Sequence, residues 1–288
     1  MAPAKPCPTT VSTFGSSTSR TPSAASSLPR PARARRTSSR SCAPVLLALD
    51  TSTSWASVAL FDGRDVLAEE TWQAQRRQGD ELFPAIERIL VNTRTAFSAV
   101  TRVAVATGPG SFTGLRVAIA AGQGIARGSG AALVGVSTLD VLAYPHAPSK
   151  QRTCPLLPAG RDIYYAAFYQ ERNRRWLRRS PLMVATLPEI CRQIGTHTLF
   201  VGEIDPETES TLRDLLGPKA LFAPPASRMR RAGYLAELGW KELETRTQVK
   251  MSEIEPLYVR QPSIRVSFDQ TFAAPPADER ALGLPKRS

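Results

Sequence analysis

The chain has 288 residues, with 37 Lys and Arg against 25 Asp and Glu, 4 Cys and 2 His, for a formal charge of +12. At roughly 100 to 200 residues per domain that length means one large or two small domains, and 42% hydrophobic residues suffice for a packed core. The longest charge-free stretches, such as Val117 to Ala126, are about half of the roughly 20 apolar residues a membrane-spanning helix needs, so no span and no membrane partner is expected. Cys7, Cys42, Cys154 and Cys191 form no CxxC pair, and with His146 and His197 alone they match no metal spacing. Reduced, unligated thiols in a cytoplasmic setting are expected.

The charge is unevenly placed. Residues 1–43 hold seven basic residues (Lys5, Arg20, Arg30, Arg33, Arg35, Arg36, Arg40) and no acid, so the remaining 30 of the 37 face 25 acidic residues. This segment is rich in Ser, Thr, Pro and Ala with few large apolar residues, a composition that buries too little surface to offset chain entropy. A disordered basic arm is expected over 1–43. It reads either as an organellar transit peptide, plastid or mitochondrial, or as an over-extended start. On the second reading a bacterial GTG codon encodes Val45, where the folded pattern begins; after Met1 the next Met is Met183. Removing residues 1–43 is therefore expected to leave the melting midpoint unchanged. A loss of more than a few degrees would show that the arm packs on the domain, since about 1 kcal/mol moves the midpoint of a large domain by some 2–4 °C.

From Val45 to Asp50 an apolar run ends in an acid, and Trp55 to Phe61 continues as a β-rich segment. Asp62-Gly63 signals a tight turn into Val66 to Trp72, which completes an antiparallel meander. Leu82, Phe83, Ile86, Ile89 and Leu90 recur at helical spacing and define a first helix. Val103 to Ala106 is a strand that enters a Gly-rich turn, followed by a helix over Leu115 to Arg127. Ala132 to Val136 is a further strand, and Ser137 with Asp140 has the spacing of a capping box that opens a helix to Ala143. The order is βββαβαβα. Pro145, Pro148 and Pro155 mark a boundary, after which Ile163 to Tyr169, Thr198 to Val201 and Ala220 to Phe222 read as strands and Met229 to Leu243 as the last helix. The expected layout is an N-terminal lobe over 44–148, a C-terminal lobe over 149–264 and a loose tail over 265–288, all in the α/β class.

Two segments bear on chemistry. Gly108-Pro109-Gly110-Ser111-Phe112-Thr113-Gly114-Leu115-Arg116 joins a strand to a helix; Ser111 or Thr113 can cap that helix, and its free N–H groups attract anions. It is neither a P-loop nor a dinucleotide fingerprint, so it reads as a structural turn or as a ligand site. Asp50-Thr51-Ser52-Thr53 ends the first strand, where a carboxylate can hold a metal-bound water and hydroxyls can face phosphate, or where the residues form a solvated turn. The small residues Ala118, Ala120, Ala121, Gly122, Gly124 and Ala126 imply close backbone approach, to the lobe's own sheet or to a partner helix. The first helix poses the same choice between core and docking. His146 and His197 read as solvated loop residues, and Arg172, Arg174, Arg175, Arg178 and Arg179 as a solvated face or an RNA-backbone contact. No nucleophile elbow or paired-His motif occurs.

With these segments, Leu82-Phe83-Pro84-Ala85-Ile86, Gly135-Val136-Ser137-Thr138-Leu139 and Pro256-Leu257-Tyr258-Val259-Arg260, the chain resembles the bacterial TsaB (YeaZ-type) family over about Leu46 to Arg260. The nonapeptide GPGSFTGLR is highly specific. The resemblance implies a two-lobed, ribonuclease H-like fold of the actin, sugar kinase and Hsp70 type. It also implies a non-catalytic subunit for making threonylcarbamoyladenosine at position 37 of ANN-decoding tRNAs. Its implied partners are a TsaD-like catalytic subunit, a TsaE-like ATPase and tRNA through the complex, with a homodimer as another pairing. No tightly held cofactor, metal or catalytic residue is implied, though ATP or ADP with Mg is allowed at the partner interface. The nucleotide-facing residues would be Asp50, Thr51, Ser52, Thr53, Gly108, Gly110 and Ser111. The interface residues would be Leu82, Phe83, Ile86, Ile89, Leu90, Leu115, Ala118, Ile119 and Gly122. Gln78 stands where the family has His, and Pro158-Ala159-Gly160-Arg161 where it has Asp-Ala-Arg; both changes weigh against nucleotide chemistry by this subunit alone. The competing functions are a small-molecule kinase on the same fold, which would want a second phosphate segment in the later lobe, and a metallopeptidase-like protein, which would want a metal-ligand set.

Overall fold

The computed structural model describes residues 44–257 except 75–76, 148, 150, 173–174 and 246–253. The basic arm, Tyr258 to Arg260 and the C-terminal tail lie outside the described residues, as do Cys7 and Cys42. Strands β1 (Val45–Asp50), β2 (Trp55–Phe61) and β3 (Val66–Gln73) form the meander, joined at Asp62-Gly63, where Gly63 takes φ +93°. Helix α1 (Gln78–Thr93) leads to β4 (Val100–Gly108), α2 (Phe112–Ser129), β5 (Ala132–Ser137) and α3 (Thr138–Ala143). The strands lie in the order β3-β2-β1-β4-β5, with β1, β4 and β5 parallel.

Both faces of the sheet are covered over β1, β2, β4 and β5, which is why these strands read as largely apolar runs and not as alternation, whereas the edge strand β3 is half-exposed. Leu47, Leu49, Val103 and Val105 face α1 and α2, while Leu46, Ala48, Ala104 and Ala106 face the other side. A second sheet holds β6 (Arg152–Gly160), β7 (Ile163–Ala166), β10 (Met183–Ala185), β11 (Thr198–Gly202) and β12 (Ala220–Phe222), in the order β10-β7-β6-β11-β12. A hairpin of β8 (Tyr169–Arg172) and β9 (Arg175–Arg178) branches from β6. Helices α4 (Leu187–Cys191) and α5 (Pro206–Leu216) belong to this lobe. Two mixed sheets with helices make the two-lobed ribonuclease H-like architecture expected from the sequence.

Three expectations need correction. The last helix, α6 (Ala232–Thr245), follows the second lobe in sequence but packs on the first sheet, where Leu235, Ala236 and Leu238 lie against Leu46, Ala48 and Ala104. The helix therefore belongs with the first sheet, although it falls within the span 149–264 expected for the C-terminal lobe; residues 258–264 lie outside the described residues. Gly239 permits the contact, because a Cβ there would lie 2.5 Å from that of Ala104. Ser137 is the N-cap of α3 but makes no side-chain cap bond, and Asp140 instead accepts a 2.5 Å bond from the buried Tyr169 hydroxyl. A capping box does form at Thr186 and Glu189, on α4. Finally, Pro155, read with Pro145 and Pro148 as marking a boundary, lies inside β6, a central strand of the second sheet.

The lobes share a core. Leu139, Leu142 and Ala143 of α3 pack with Leu157, Tyr169, Trp176 and Val201 of the second lobe. No helix among the described residues is long and apolar enough to cross a membrane.

Candidate functional site

The two chemistry-bearing segments meet at the carboxyl ends of β1 and β4, where ligands bind in open parallel sheets. They are built against each other. Ser111 donates its backbone N–H to the Ser52 carbonyl at 2.6 Å, the Thr51 hydroxyl donates to the Gly114 carbonyl at 2.6 Å, and Ala118 N–H donates to Thr51 Oγ1 at 3.1 Å. A Cβ on Gly110 would lie 2.2 Å from the Ser52 carbonyl oxygen, and one on Gly114 2.0 Å from that of Thr51. These glycines thus admit the protein's own backbone. Gly108 has φ +108°, a conformation that L side chains rarely adopt, and turns the chain out of β4. Ser111 caps α2 as expected, accepting from Gly114 N–H at 3.3 Å.

The Asp50 turn is no solvated loop: Asp50, Thr51, Ser52 and Thr53 are all buried. Asp50 Oδ1 accepts from the Ser52 N–H at 2.9 Å and hydroxyl at 2.6 Å. Both carboxylate oxygens also accept from Arg230 Nη1 at 2.8 Å, and Ser52 Oγ accepts from the same nitrogen at 2.6 Å. Arg230 Nη2 donates to Thr53 Oγ1 and, at 3.3 Å, to the Trp55 carbonyl. Glu203 of the second lobe accepts from Thr53 Oγ1 and lies 3.6 Å from Arg230. Gln78, buried, donates to the Thr53 carbonyl at 3.0 Å and so steadies the turn from α1. ATP or ADP with Mg does not fit this turn as built, because a guanidinium holds the carboxylate and hydroxyls that the metal and phosphate would need.

Beside the turn a cavity of about 640 Å³ opens between the lobes, lined among others by Trp55, Leu142, Glu203, Asp205, Arg228 and Arg230. Sequence reasoning missed Arg230 and Glu203, and nothing local marks them: Arg230 stands 180 residues from its partner Asp50. Among the described residues no group of three or more His, Cys, Asp or Glu could hold a metal. His146 is half-buried and its Nε2–H donates to the Ser227 carbonyl at 3.0 Å, so it is not a solvated loop residue; burial lowers its pKa, and that bond opposes the shift. His197 is exposed. Cys154 and Cys191 are buried in the second lobe's core, where burial pushes the Cys191 thiol up to about 11 and Cys154 up as well, which keeps both protonated and poorly nucleophilic. Arg172, Arg178 and Arg179 are exposed along the β8–β9 hairpin; Arg174 and the Arg175 side chain lie outside the described residues.

The expected interface residues fall mostly inside. Leu82, Ile86, Ile89, Leu115, Ala118 and Ile119 are at most 5% exposed, Gly122 is buried and Leu90 is half-buried. A Cβ on Gly122 would lie 2.5 Å from Val105 Cγ1, so this glycine seats α2 on its own sheet. Their apolar stripe is core. Of the set, Phe83 is exposed at 56%, and Val91 at 67% and Phe112 at 53% join it on the outer side of the neighbouring helices α1 and α2. Along α2, Phe112, Arg116, Ala120 and Gly124 recur every fourth position and are all exposed, with the Arg116 guanidinium 3.8 Å over the Phe112 ring. A Cβ on Gly124 would meet nothing within 4 Å.

A family model for TsaD, a tRNA N6-adenosine threonylcarbamoyltransferase, matches residues 71–178, short of half of the chain. No curated protein matches. Among solved structures, YeaZ from Pseudomonas aeruginosa is 25% identical, with a TM-score of 0.59 over 75% of this chain and 100% of that one. A further solved structure, of an uncharacterized protein with similarity to peptidase YeaZ from Pseudomonas aeruginosa, is 24% identical with a TM-score of 0.61 over the same shares.

Proposed function

We propose that this chain is a TsaB-type accessory subunit that pairs with a TsaD-type catalytic subunit, joined by a TsaE-type ATPase, for threonylcarbamoylation of adenosine 37 in ANN-decoding tRNAs. The observation that carries this reading is the fold shared with YeaZ over that protein's full length, with GPGSFTGLR at the β4–α2 junction. The TsaD family-model match over residues 71–178 supports the same family of reactions. In this reading the chemistry belongs to the partner. The Gly-rich turn and the Asp50 turn spend their polar groups on each other and on Arg230, which suits a scaffold better than a kinase.

The partner seats on the outer face of α1 and α2. There Phe83, Val91 and Phe112 leave apolar surface in water, and Ala120 and Gly124 let a facing helix approach closely. A glycine inside a helix costs about 1 kcal/mol against alanine. Among the described residues Gly124 has no contact that would require that cost, and an external contact supplies a reason for it.

Co-expression with the same organism's TsaD-type protein, followed by size-exclusion chromatography, is the test. A single co-eluting species is expected. Separate elution of two well-folded proteins at micromolar concentration would refute the pairing.

A further inference from the structure

The contact between Arg230 and the Asp50 turn joins parts of the chain that do not belong to one lobe. Asp50, Ser52 and Thr53 end β1 in the first lobe, and Glu203 follows β11 in the second. Arg230 sits on the connection from β12 to α6, where the chain crosses back. Its side chain is 3% exposed and that of Asp50 1%, so this is a buried ion pair and not a surface one. The same connection is pinned to the second lobe where Gly202 N–H donates to the Arg228 carbonyl at 3.0 Å.

We propose that Arg230 is a tethered internal cation that fills the place where a metal-bound phosphate would meet the Asp50 turn, so that the cleft is held in one state without any nucleotide. The chemistry of the partners supports this. A carboxylate, two hydroxyls and a second carboxylate from the facing lobe make an all-oxygen cluster of the kind that hard cations take. Here a guanidinium supplies the positive charge, and its planar fork spans Asp50, Ser52, Thr53 and the Trp55 carbonyl together. A metal bound at the turn would have to take the Asp50 carboxylate from Arg230 and so break a buried ion pair held by several hydrogen bonds, which is costly in a low-dielectric site. The cleft therefore acts as a fixed joint between lobes, and a bound partner sees one lobe arrangement whatever the nucleotide level.

Thermal unfolding of the full chain with and without MgADP tests this. The wild-type midpoint is expected to stay put when MgADP is added. Arg230→Met leaves Asp50 buried without a counter-charge and should lower the midpoint by several degrees. Adding Asp50→Asn to that variant keeps an acceptor for Ser52 while removing the stranded charge, and should recover half or more of the loss. A wild-type midpoint that rises with MgADP would overturn the proposal. So would an Arg230→Met variant that melts with the wild type, or an Asp50→Asn change that recovers nothing. Should Arg230→Met yield no folded protein, the double variant decides: folding supports the proposal and failure to fold refutes it.

Discussion

Gly114→Val is expected to lower the melting midpoint by about 10 °C, whereas Gly124→Ala, ten positions further along the same helix, should raise it. At Gly114 even a Cβ would lie 2.0 Å from the Thr51 carbonyl oxygen, and that oxygen is backbone, so no side-chain rotation relieves the overlap. The surroundings are also committed: Thr51 Oγ1 donates to the Gly114 carbonyl and accepts from Ala118 N–H, both buried bonds that a displaced turn would stretch. Overpacking costs some 1–3 kcal/mol, and weakening a buried bond adds about 1 kcal/mol. At 2–4 °C per kcal/mol the sum is roughly 10 °C. Better helix propensity offsets only a few tenths of a kcal/mol for valine over glycine. At Gly124 the balance reverses, since among the described residues nothing beyond the helix's own backbone lies within 4 Å of the added Cβ and alanine gains about 1 kcal/mol. Differential scanning calorimetry of both variants checks the pair. A Gly114→Val chain melting at the wild-type temperature would mean that the two turns do not hold each other.

The contrast shows what a sequence can and cannot convey about glycines. Gly110, Gly114, Gly122 and Gly124 stand in one stretch of small residues, and no periodicity distinguishes those that the fold needs from one that it does not. The distinction rests on what lies opposite each of them: the backbone of Thr51 and Ser52, the Val105 side chain, or open space. The meander, α1, β4 and α2 were legible because apolar runs, the Asp62-Gly63 turn and the Leu82 to Leu90 stripe report local burial. The same stripe left open the choice between core and docking, and the fold places it in the core. An amphipathic helix buries its apolar face against its own sheet first, so the residues most conspicuous in sequence are those least available to a partner. The exposed positions, Phe83 excepted, carry no such pattern. Prolines at 155 and 158 hid β6, because proline argues against a central strand. The stripe of α6 says that one face is buried but not against which sheet. Arg230 had no signal at all, being one arginine among many until the fold brings it to Asp50.

Ala120→Arg is expected to weaken pairing with a TsaD-type partner by about thirtyfold or more while leaving the isolated chain folded, the second large effect. Ala120 lies on the outer face of α2 between Phe112 and Gly124, so a long charged side chain there points away from the core and costs the monomer little. Across a helix–helix contact it would hold the backbones apart and bury a charge without a partner. Such changes at a central interface position commonly cost 2 kcal/mol or more, about thirtyfold in affinity. Gly124→Ala sharpens the test, because it should stabilise the free chain and weaken the complex at the same time, two signs that a purely structural role does not produce. Circular dichroism and partner titration on the same preparations read both quantities. Substitutions at Ala118, Gly122 or Ile89 would not serve, since those positions lie in the core and their loss of binding would only report unfolding. If Ala120→Arg stays folded and binds as tightly as the wild type, the docking face lies elsewhere on the molecule and the glycine at 124 needs another explanation.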